Sequence, residues 1–267
     1  MKKLLLYNIL IFLAFAVYTG SVNQALGETR DVPFHVGEKI SFQVRWAGIL
    51  AGEATLELLP LDSLNNTDSY HFILTTRTSE FVDIFYKVRD RMESYTDLDM
   101  THSLLYIQSH QTKPQKDSRI NFDWKKLQAQ YSQVDDGKKR KPISIVEGTF
   151  DPLSVFYAFR LIDLKGNSSL TIPVTDGKRT VLGRVNVIKR ETIKVSGIDY
   201  DTFLVEPELG QIGGVFEKDK DASIQIWVTA DDRCIPVRIK SKVTVGSFVA
   251  EISSYDGGAK TGKAVSQ

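Results

Sequence analysis

The chain has very few of the residues from which disulfides, metal sites and thiol chemistry are built. It contains one cysteine and four histidines in 267 residues. One cysteine cannot form an internal disulfide, and Cys234 precedes an apolar segment in a predicted strand, where we expect a buried and inert thiol. No HExxH motif or other paired spacing typical of zinc ligands includes the histidines, which are His35, His71, His102 and His110. The sequence therefore predicts no metal site and no cofactor.

Motifs of common enzyme classes are also missing. Ser154 does not lie in a GxSxG elbow, and the glycines of "GQIGG" (210–214) lack the strand and helix that flank a dinucleotide-binding loop. Asp231-Asp232-Arg233 reads as a turn between two strands, because no EF-hand series of ligands follows it. A Ser, His and Asp that meet in space remain compatible with the sequence, since such triads are defined by geometry. We predict a protein that is not an enzyme and has no catalytic residues.

The charge is balanced, which bears on the partners of the protein. The full chain has 34 basic and 33 acidic residues, and without Lys2 and Lys3 the basic count falls to 32. A protein whose main partner is nucleic acid normally has a basic face and an excess of positive charge. The sequence therefore predicts no nucleic-acid partner.

One stretch near the N-terminus is strongly apolar. Lys2 and Lys3 precede an apolar run from Leu4 to Val17, and Ala25-Leu26-Gly27 supplies small residues in the pattern of a signal-peptidase site. The run is shorter than the roughly 20 residues that span a bilayer. We expect residues 1–27 to be a signal peptide and the exported chain, periplasmic or otherwise outside the cytoplasm, to begin near Glu28 without a transmembrane segment. An uncleaved membrane anchor is the alternative.

Alternating polar and apolar residues recur along most of the remaining chain. The first example places Ile40, Phe42, Val44 and Trp46 on one face of a strand and Ser41, Gln43 and Arg45 on the other. Roughly a dozen such segments are joined by short turns, as in an antiparallel meander. The pattern predicts a mainly β fold, a large curled antiparallel sheet or β-barrel-like domain over residues 28–256. A disordered tail is expected over 257–267.

A helix is predicted near the middle of the chain. Asp151 is a favourable N-cap, Pro152 suits the first helical position, and Gly166 is a natural stop. Apolar residues between these signals recur at helical spacing, which predicts an amphipathic helix laid against the sheet or across the opening of a barrel. A second short helical turn is expected at Ser79 to Lys87, where Phe81, Ile84 and Phe85 share a face.

Four segments carry a resemblance to a known family. They are "FHVGEKISFQVRWAGILAGEATLEL" (34–58), "DPLSVFYAFR" (151–160), "IQIWVTADDRCIPVRI" (224–239) and "GSFVAEI" (246–252). In order and spacing they resemble the DUF3108 family of exported bacterial proteins. The resemblance implies an envelope protein of uncharacterised activity, with a β-rich architecture similar to the curled sheets of lipoprotein carriers. It implies no catalytic residues.

Two functions are compatible with these patterns. The first is a noncatalytic envelope protein that holds a lipid or another apolar ligand inside the curled sheet. Trp46, Phe156 and Tyr157 would supply the apolar contacts, and Arg160 or Arg45 would engage an anionic group. The second is an envelope scaffold or interaction module that binds a partner protein and has a packed interior.

A basic run adds a further alternative. Lys138-Lys139-Arg140-Lys141 follows the Asp135-Asp136-Gly137 turn. Such a run is compatible with a solvated sheet edge guarded by lysines, or with a patch that meets the anionic headgroups of a membrane surface.

Overall fold

Fourteen strands and two short helices make up the described part of the protein. A computed structural model describes residues 32–64, 66–111, 116–165, 169–208, 223–243 and 246–258. The predicted signal peptide, the "GQIGG" segment and the end of the predicted tail lie outside these residues. The strands are β1 (Glu38–Trp46), β2 (Ile49–Leu64), β3 (Thr67–Thr78), β4 (Arg89–Asp97), β5 (Ser103–His110), β6 (Lys116–Asp123), β7 (Gln128–Gln133), β8 (Ile143–Ser144), β9 (Ser169–Thr175), β10 (Thr180–Val195), β11 (Ile198–Pro207), β12 (Ser223–Thr229), β13 (Pro236–Val243) and β14 (Gly246–Gly257). The helices are α1 (Glu80–Asp83) and α2 (Ser154–Phe159).

All fourteen strands belong to one curled, open antiparallel sheet. Their order is β8-β7-β6-β5-β4-β3-β2-β1-β14-β13-β12-β11-β10-β9. Two meanders, β1 to β8 and β9 to β14, are therefore joined by the pairing of β1 with β14, and β8 and β9 form the two edges. The predicted β fold and its curled antiparallel sheet are confirmed.

The sheet forms because its strands alternate as the sequence predicts. In β1, Ile40, Phe42 and Val44 are buried, whereas Lys39 and Gln43 are exposed. The buried faces of the strands meet in a core that also contains α2. Trp46 is the last residue of β1 and, unlike the other apolar residues of this face, it is 43% exposed.

The connections of the meander fall at two ends of the sheet, because successive antiparallel strands alternate in direction. Helix α1 lies in the β3–β4 connection, on the same end as the β1–β2 and β13–β14 turns, and we call this the α1 end. Helix α2 follows β8 and precedes β9, which places it at the opposite end, the α2 end.

The two edge strands are bridged without pairing with each other. Phe150 forms a parallel bridge with Val174 of β9, with hydrogen bonds to the Pro173 carbonyl and from the Thr175 amide, both 2.9 Å. The β9–β10 turn reaches across the interior, where a Cβ at Gly177 would lie 2.9 Å from Ile120 of β6. These contacts hold the curl of the sheet closed beside its edges.

Two local features differ from the sequence-based expectation. Helix α2 spans Ser154–Phe159, whereas the pattern predicts a helix continuing to Gly166. After Phe159 the chain continues in tighter turns, in which the amides of Arg160, Leu161 and Ile162 donate to carbonyls three positions back. The two segments expected at Thr180–Val187 and Glu191–Val195 form one strand, β10, with a register shift between Val187 and Lys189.

Candidate functional site

Helix α2 closes one end of the curled sheet. All six of its residues are buried, including the polar Ser154. Tyr157 stacks on Phe72 of β3 with 3.9 Å between ring centroids, and Phe34 meets the same ring edge-on at 5.3 Å. The helix is therefore a floor that fills the α2 end of the interior.

A buried carboxylate anchors the start of this helix. Asp151 Oδ1 accepts hydrogen bonds from the Leu153 and Ser154 amides at 2.8 and 3.0 Å, as an N-capping side chain does. Its Oδ2 accepts from the hydroxyls of Ser94 (2.5 Å), Ser103 (2.7 Å) and Ser154 (2.7 Å). Because Ser94 belongs to β4 and Ser103 to β5, Asp151 ties the helix to two neighbouring strands.

Burial governs the protonation of this carboxylate. Asp151 is fully buried, and desolvation raises its pKa above the ordinary value. Hydrogen bonds from Ser94, Ser103 and Ser154 oppose the shift because they favour the charged form. Asp151 serves to position the helix, since all five of its hydrogen bonds remain within the protein.

A buried ion pair anchors the end of the helix. Arg160 donates to Glu38 at the start of β1, with Nη1–Oε1 and Nη2–Oε2 distances of 2.5 and 2.9 Å. Arg160 Nε donates to the Arg233 carbonyl (2.9 Å) and Nη2 to the Pro33 carbonyl (3.2 Å). Both charged side chains are 1% exposed, so the pair is isolated from solvent. An anionic ligand would have to displace Glu38 to reach this guanidinium.

A small apolar cavity lies above the floor. Its volume is about 30 Å³, which is room for a water molecule and far less than an acyl chain requires. Six of the residues that line it are Phe42, Ala54, Leu74, Met92, Phe156 and Ala250. In this structure the interior next to Phe156 is therefore almost filled.

The α1 end is different because it exposes large apolar side chains. We call the following set the apolar rim: Trp46, Ile49, Leu50, Phe81, Ile84 and Phe85. Each is between 39 and 77% exposed. The rim combines the β1–β2 turn with α1 and the residues that directly follow it.

Local chemistry fixes α1 beside the β1–β2 turn. The Ser79 hydroxyl donates to the Leu50 carbonyl at 3.0 Å and also caps α1, whose Val82 amide donates to it. The Ser79 amide donates to the Ala51 carbonyl at 2.9 Å. Asp83 forms an ion pair with Arg89 of β4, at 2.5 Å between Oδ2 and Nη2. These bonds hold the rim in one place although its apolar side chains face solvent.

The structure divides the five predicted ligand-binding residues into two groups. Phe156, Tyr157 and Arg160 lie together in the floor, and Arg160 contacts the first residue of β1. Arg45 and Trp46 end the same strand, which at about 3.3 Å per residue places them roughly 23 and 26 Å from Glu38, the residue that Arg160 contacts. The five residues do not form one site, and their role in ligand binding stays a prediction.

Two functional features are not evident from the sequence pattern. Glu38 reads as a polar residue at a strand start, and only the fold brings it to Arg160. Phe81, Ile84 and Phe85 share a face as predicted, but the face is exposed. The connection holds a single four-residue helix, which is too short to fold this face back onto the sheet.

Tyr157 carries a buried hydroxyl with no hydrogen-bond partner in the described part of the chain. Replacing it by phenylalanine removes the cost of desolvating that hydroxyl and keeps the ring stacking. We expect Tyr157→Phe to leave the free energy of unfolding unchanged or raise it by up to about 1 kcal/mol. Urea unfolding of the variant and of Tyr157→Leu, which loses the stacking, measures both effects. A loss of more than about 1 kcal/mol in the phenylalanine variant would contradict the assignment.

Two other classes of feature are absent from the described residues. No three His, Cys, Asp or Glu side chains lie close enough together there to hold a metal ion. No helix in that part of the protein has the length and apolar character needed to cross a bilayer. Burial raises the pKa of the Cys234 thiol to about 11, which fits the expected inert cysteine.

Comparison with known proteins identifies the fold and the family of this chain. A β-barrel-like protein from Brucella abortus, of the domain of unknown function DUF1849, superposes with a TM-score of 0.53 at 8% identity, over 84% of this chain and 99% of that one. A Bacteroides fragilis protein with a YmcC-like fold covers 84% of this chain and 98% of its own at 8% identity, with a TM-score of 0.31.

The first of these similarities supports a β-barrel-like fold and says nothing of function. The curated proteins include no match to this sequence. No catalytic family is indicated by any of the comparisons. Residues 41–253 match the model of the family described as "Protein of unknown function (DUF3108)", and the chain belongs to that family.

Proposed function

We propose that the protein is a noncatalytic, exported envelope protein that acts as an interaction module, binding its partner at its surface. The filled interior is the observation that carries this choice over a ligand carrier. The apolar signal-like segment at the N-terminus supports export.

The interior next to helix α2 is filled by side chains. Helix α2 occupies the α2 end, and Tyr157, Phe72 and Phe34 form a close aromatic cluster there. Above it, the apolar cavity at Phe156 holds about 30 Å³. A lipid carrier of this architecture would need a space several times larger, since ligand pockets typically measure about 300–1,000 Å³.

The proposed roles of the five predicted residues follow from this division. Phe156, Tyr157 and Arg160 hold the floor and fix the curl of the sheet. Arg45 and Trp46 lie at the α1 end, beside the apolar rim, where a partner has access to them. The binding function is thus assigned to the rim and not to the interior.

Native mass spectrometry of detergent-free protein from its own compartment tests the packed interior. We expect the mass of the bare chain, because the cavity next to Phe156 among the described residues holds only about 30 Å³. A stoichiometric lipid adduct that survives removal of membranes would overturn the proposal. The variant Phe156→Ala serves as the internal reference: an adduct lost in this variant would place the ligand at the floor.

A further inference from the structure

The apolar rim is one continuous surface. Ser79 joins α1 to the β1–β2 turn through its bonds to Leu50 and Ala51. Phe81 and Phe85 contact each other, with ring centroids 5.9 Å apart. At the other side of the turn, Trp46 packs against the β13–β14 hairpin, where it stacks on Phe248 at 6.2 Å.

The size of the rim is unusual for a surface exposed to water. A large aromatic side chain buries about 150–250 Å² when it is covered. Six large apolar side chains with the observed exposure therefore present several hundred Å², a size at which an exposed patch marks an interaction site. Ile84 and Phe85 are the most exposed of the six.

Positive charge surrounds this surface. Arg45 and Lys87 are exposed and adjoin rim residues in the sequence. Lys242 is exposed as well and pairs with Ser247 across the β13–β14 hairpin. It lies near the rim because the Ser247 carbonyl accepts a hydrogen bond from the Ala47 amide, directly after Trp46. None of these three cations forms an ion pair among the described residues.

The acidic groups near the rim are mostly neutralised. Asp83 pairs with Arg89, and Glu53 pairs with Arg77. Glu80 is the remaining exposed acid of α1. Among the described residues, the unpaired charge around the rim is therefore positive on balance.

The β7–β8 connection adds basic residues at the same end. It carries Lys139, Arg140 and Lys141, while Lys138 pairs with Asp136 at 2.6 Å. Because β1 to β8 form one meander, this connection lies at the α1 end of the sheet. Unpaired cations thus extend beyond the immediate neighbours of the rim.

We propose that the apolar rim inserts into the surface of an anionic phospholipid bilayer, with the surrounding cations contacting the headgroups. This inference rests on the proposed function and names its partner. Projecting aliphatic and aromatic side chains flanked by lysine and arginine match the chemistry of interfacial membrane binding. A partner chain or a second copy of this chain would also cover apolar surface, but neither requires a positive surround.

Vesicle binding by the mature chain tests the proposal. Vesicles of equimolar phosphatidylglycerol and phosphatidylcholine are compared with vesicles of phosphatidylcholine alone, by cosedimentation. We expect the wild type to bind the anionic vesicles more tightly, and added salt to weaken that binding. Ile84→Ser combined with Phe85→Ser should weaken binding by at least about tenfold, because these side chains enter the acyl boundary.

The control removes two isoleucines elsewhere on the sheet, which are 48% and 57% exposed against 74% and 77% for Ile84 and Phe85. Ile188→Ser combined with Ile198→Ser changes two exposed side chains outside the rim and should bind as the wild type does. Lys87→Gln and Lys242→Gln should each weaken binding to the anionic vesicles by roughly fivefold and leave binding to phosphatidylcholine unchanged. Equal thermal midpoints of the variants and the wild type verify that all remain folded.

Trp46 reports insertion directly. Brominated acyl chains should quench fluorescence of the bound wild type, and the quenching should be smaller in Trp46→Phe because Trp46 is the exposed tryptophan of the rim. Absence of wild-type binding to anionic vesicles, or equal effects of the rim and control double variants, would overturn the inference.

Other occupants of the rim give distinct results. Self-association abolished by Ile84→Ser and Phe85→Ser, without vesicle binding, would identify a second copy and refute the lipid partner. A crosslinked envelope protein lost in the same variant, again without vesicle binding, would refute the lipid partner while leaving the interaction module intact. A stoichiometric interior lipid would refute the proposed function itself.

Discussion

Replacing Arg160 by methionine is expected to lower the free energy of unfolding by about 3–5 kcal/mol. The substitution leaves Glu38 as a buried carboxylate without its charge partner, and it removes the donors to the Pro33 and Arg233 carbonyls. Urea unfolding monitored by circular dichroism measures the loss. Helix α2 should also become accessible to proteolysis, because this ion pair joins its end to β1.

Two controls distinguish the effect of breaking the buried ion pair from the effect of breaking an ordinary ion pair on the surface. Arg77→Met breaks an exposed pair with Glu53 and should cost less than about 1 kcal/mol. In the double variant Arg160→Met with Glu38→Leu, no charge is left uncompensated, and about half or more of the loss should be recovered. Equal effects of Arg160→Met and Arg77→Met would contradict this account of the floor.

Replacing Asp151 by alanine is expected to lower the free energy of unfolding by about 3 kcal/mol. The variant loses the acceptor for the Leu153 and Ser154 amides and for three buried serine hydroxyls. Asp176 gives a matched control, since it accepts from the Lys178 and Arg179 amides in a turn near the surface. Asp176→Ala should cost less than about 1 kcal/mol, and a similar cost at both sites would refute a special role for Asp151.

The pH dependence provides a second measure of Asp151. Burial raises its pKa in the folded protein, so the folded state binds more protons than the unfolded chain between the two pKa values. Its contribution is therefore greatest below the unfolded value of about 3.9 and falls as the pH rises through the folded value. Relative to Asp151→Asn, the wild type should lose stability as the pH is raised above about 4. A difference that grows with pH would reverse the sign and contradict the raised pKa.

Much of the sheet is predictable because strand alternation is a local property. The alternation of Ile40, Phe42 and Val44 is enough to predict the buried face of β1. The helical turn that follows Ser79 is predicted by this residue as its N-cap. The length of α2 was harder to predict. Leu161 and Leu164 continue the apolar period, yet the helix ends at Phe159, and Arg160 pairs with Glu38, 122 positions away in the chain.

The candidate site is harder to predict from the sequence, because it also depends on contacts between residues that are far apart in the chain. Trp46 and Phe156 are both apolar residues in strong local patterns, and nothing local distinguishes an exposed strand end from a buried floor. That difference depends on which strands lie beside β1 and where α2 crosses the sheet. The exposed face of Phe81, Ile84 and Phe85 likewise depends on the absence of a neighbouring element above α1 among the described residues.

The pairing of β1 with β14 has a consequence for the order in which the protein assembles. Strands β1 to β8 can form neighbouring hairpins as the chain is synthesised, and so can β9 to β14. One edge of β1 nevertheless stays open until β14 has been synthesised, since Glu38 pairs with Gly257 and Trp46 with Phe248. Loss of β14 would leave unpaired edges on both β1 and β13, a state prone to aggregation. The last of the described strands therefore joins the two halves at the centre of the sheet.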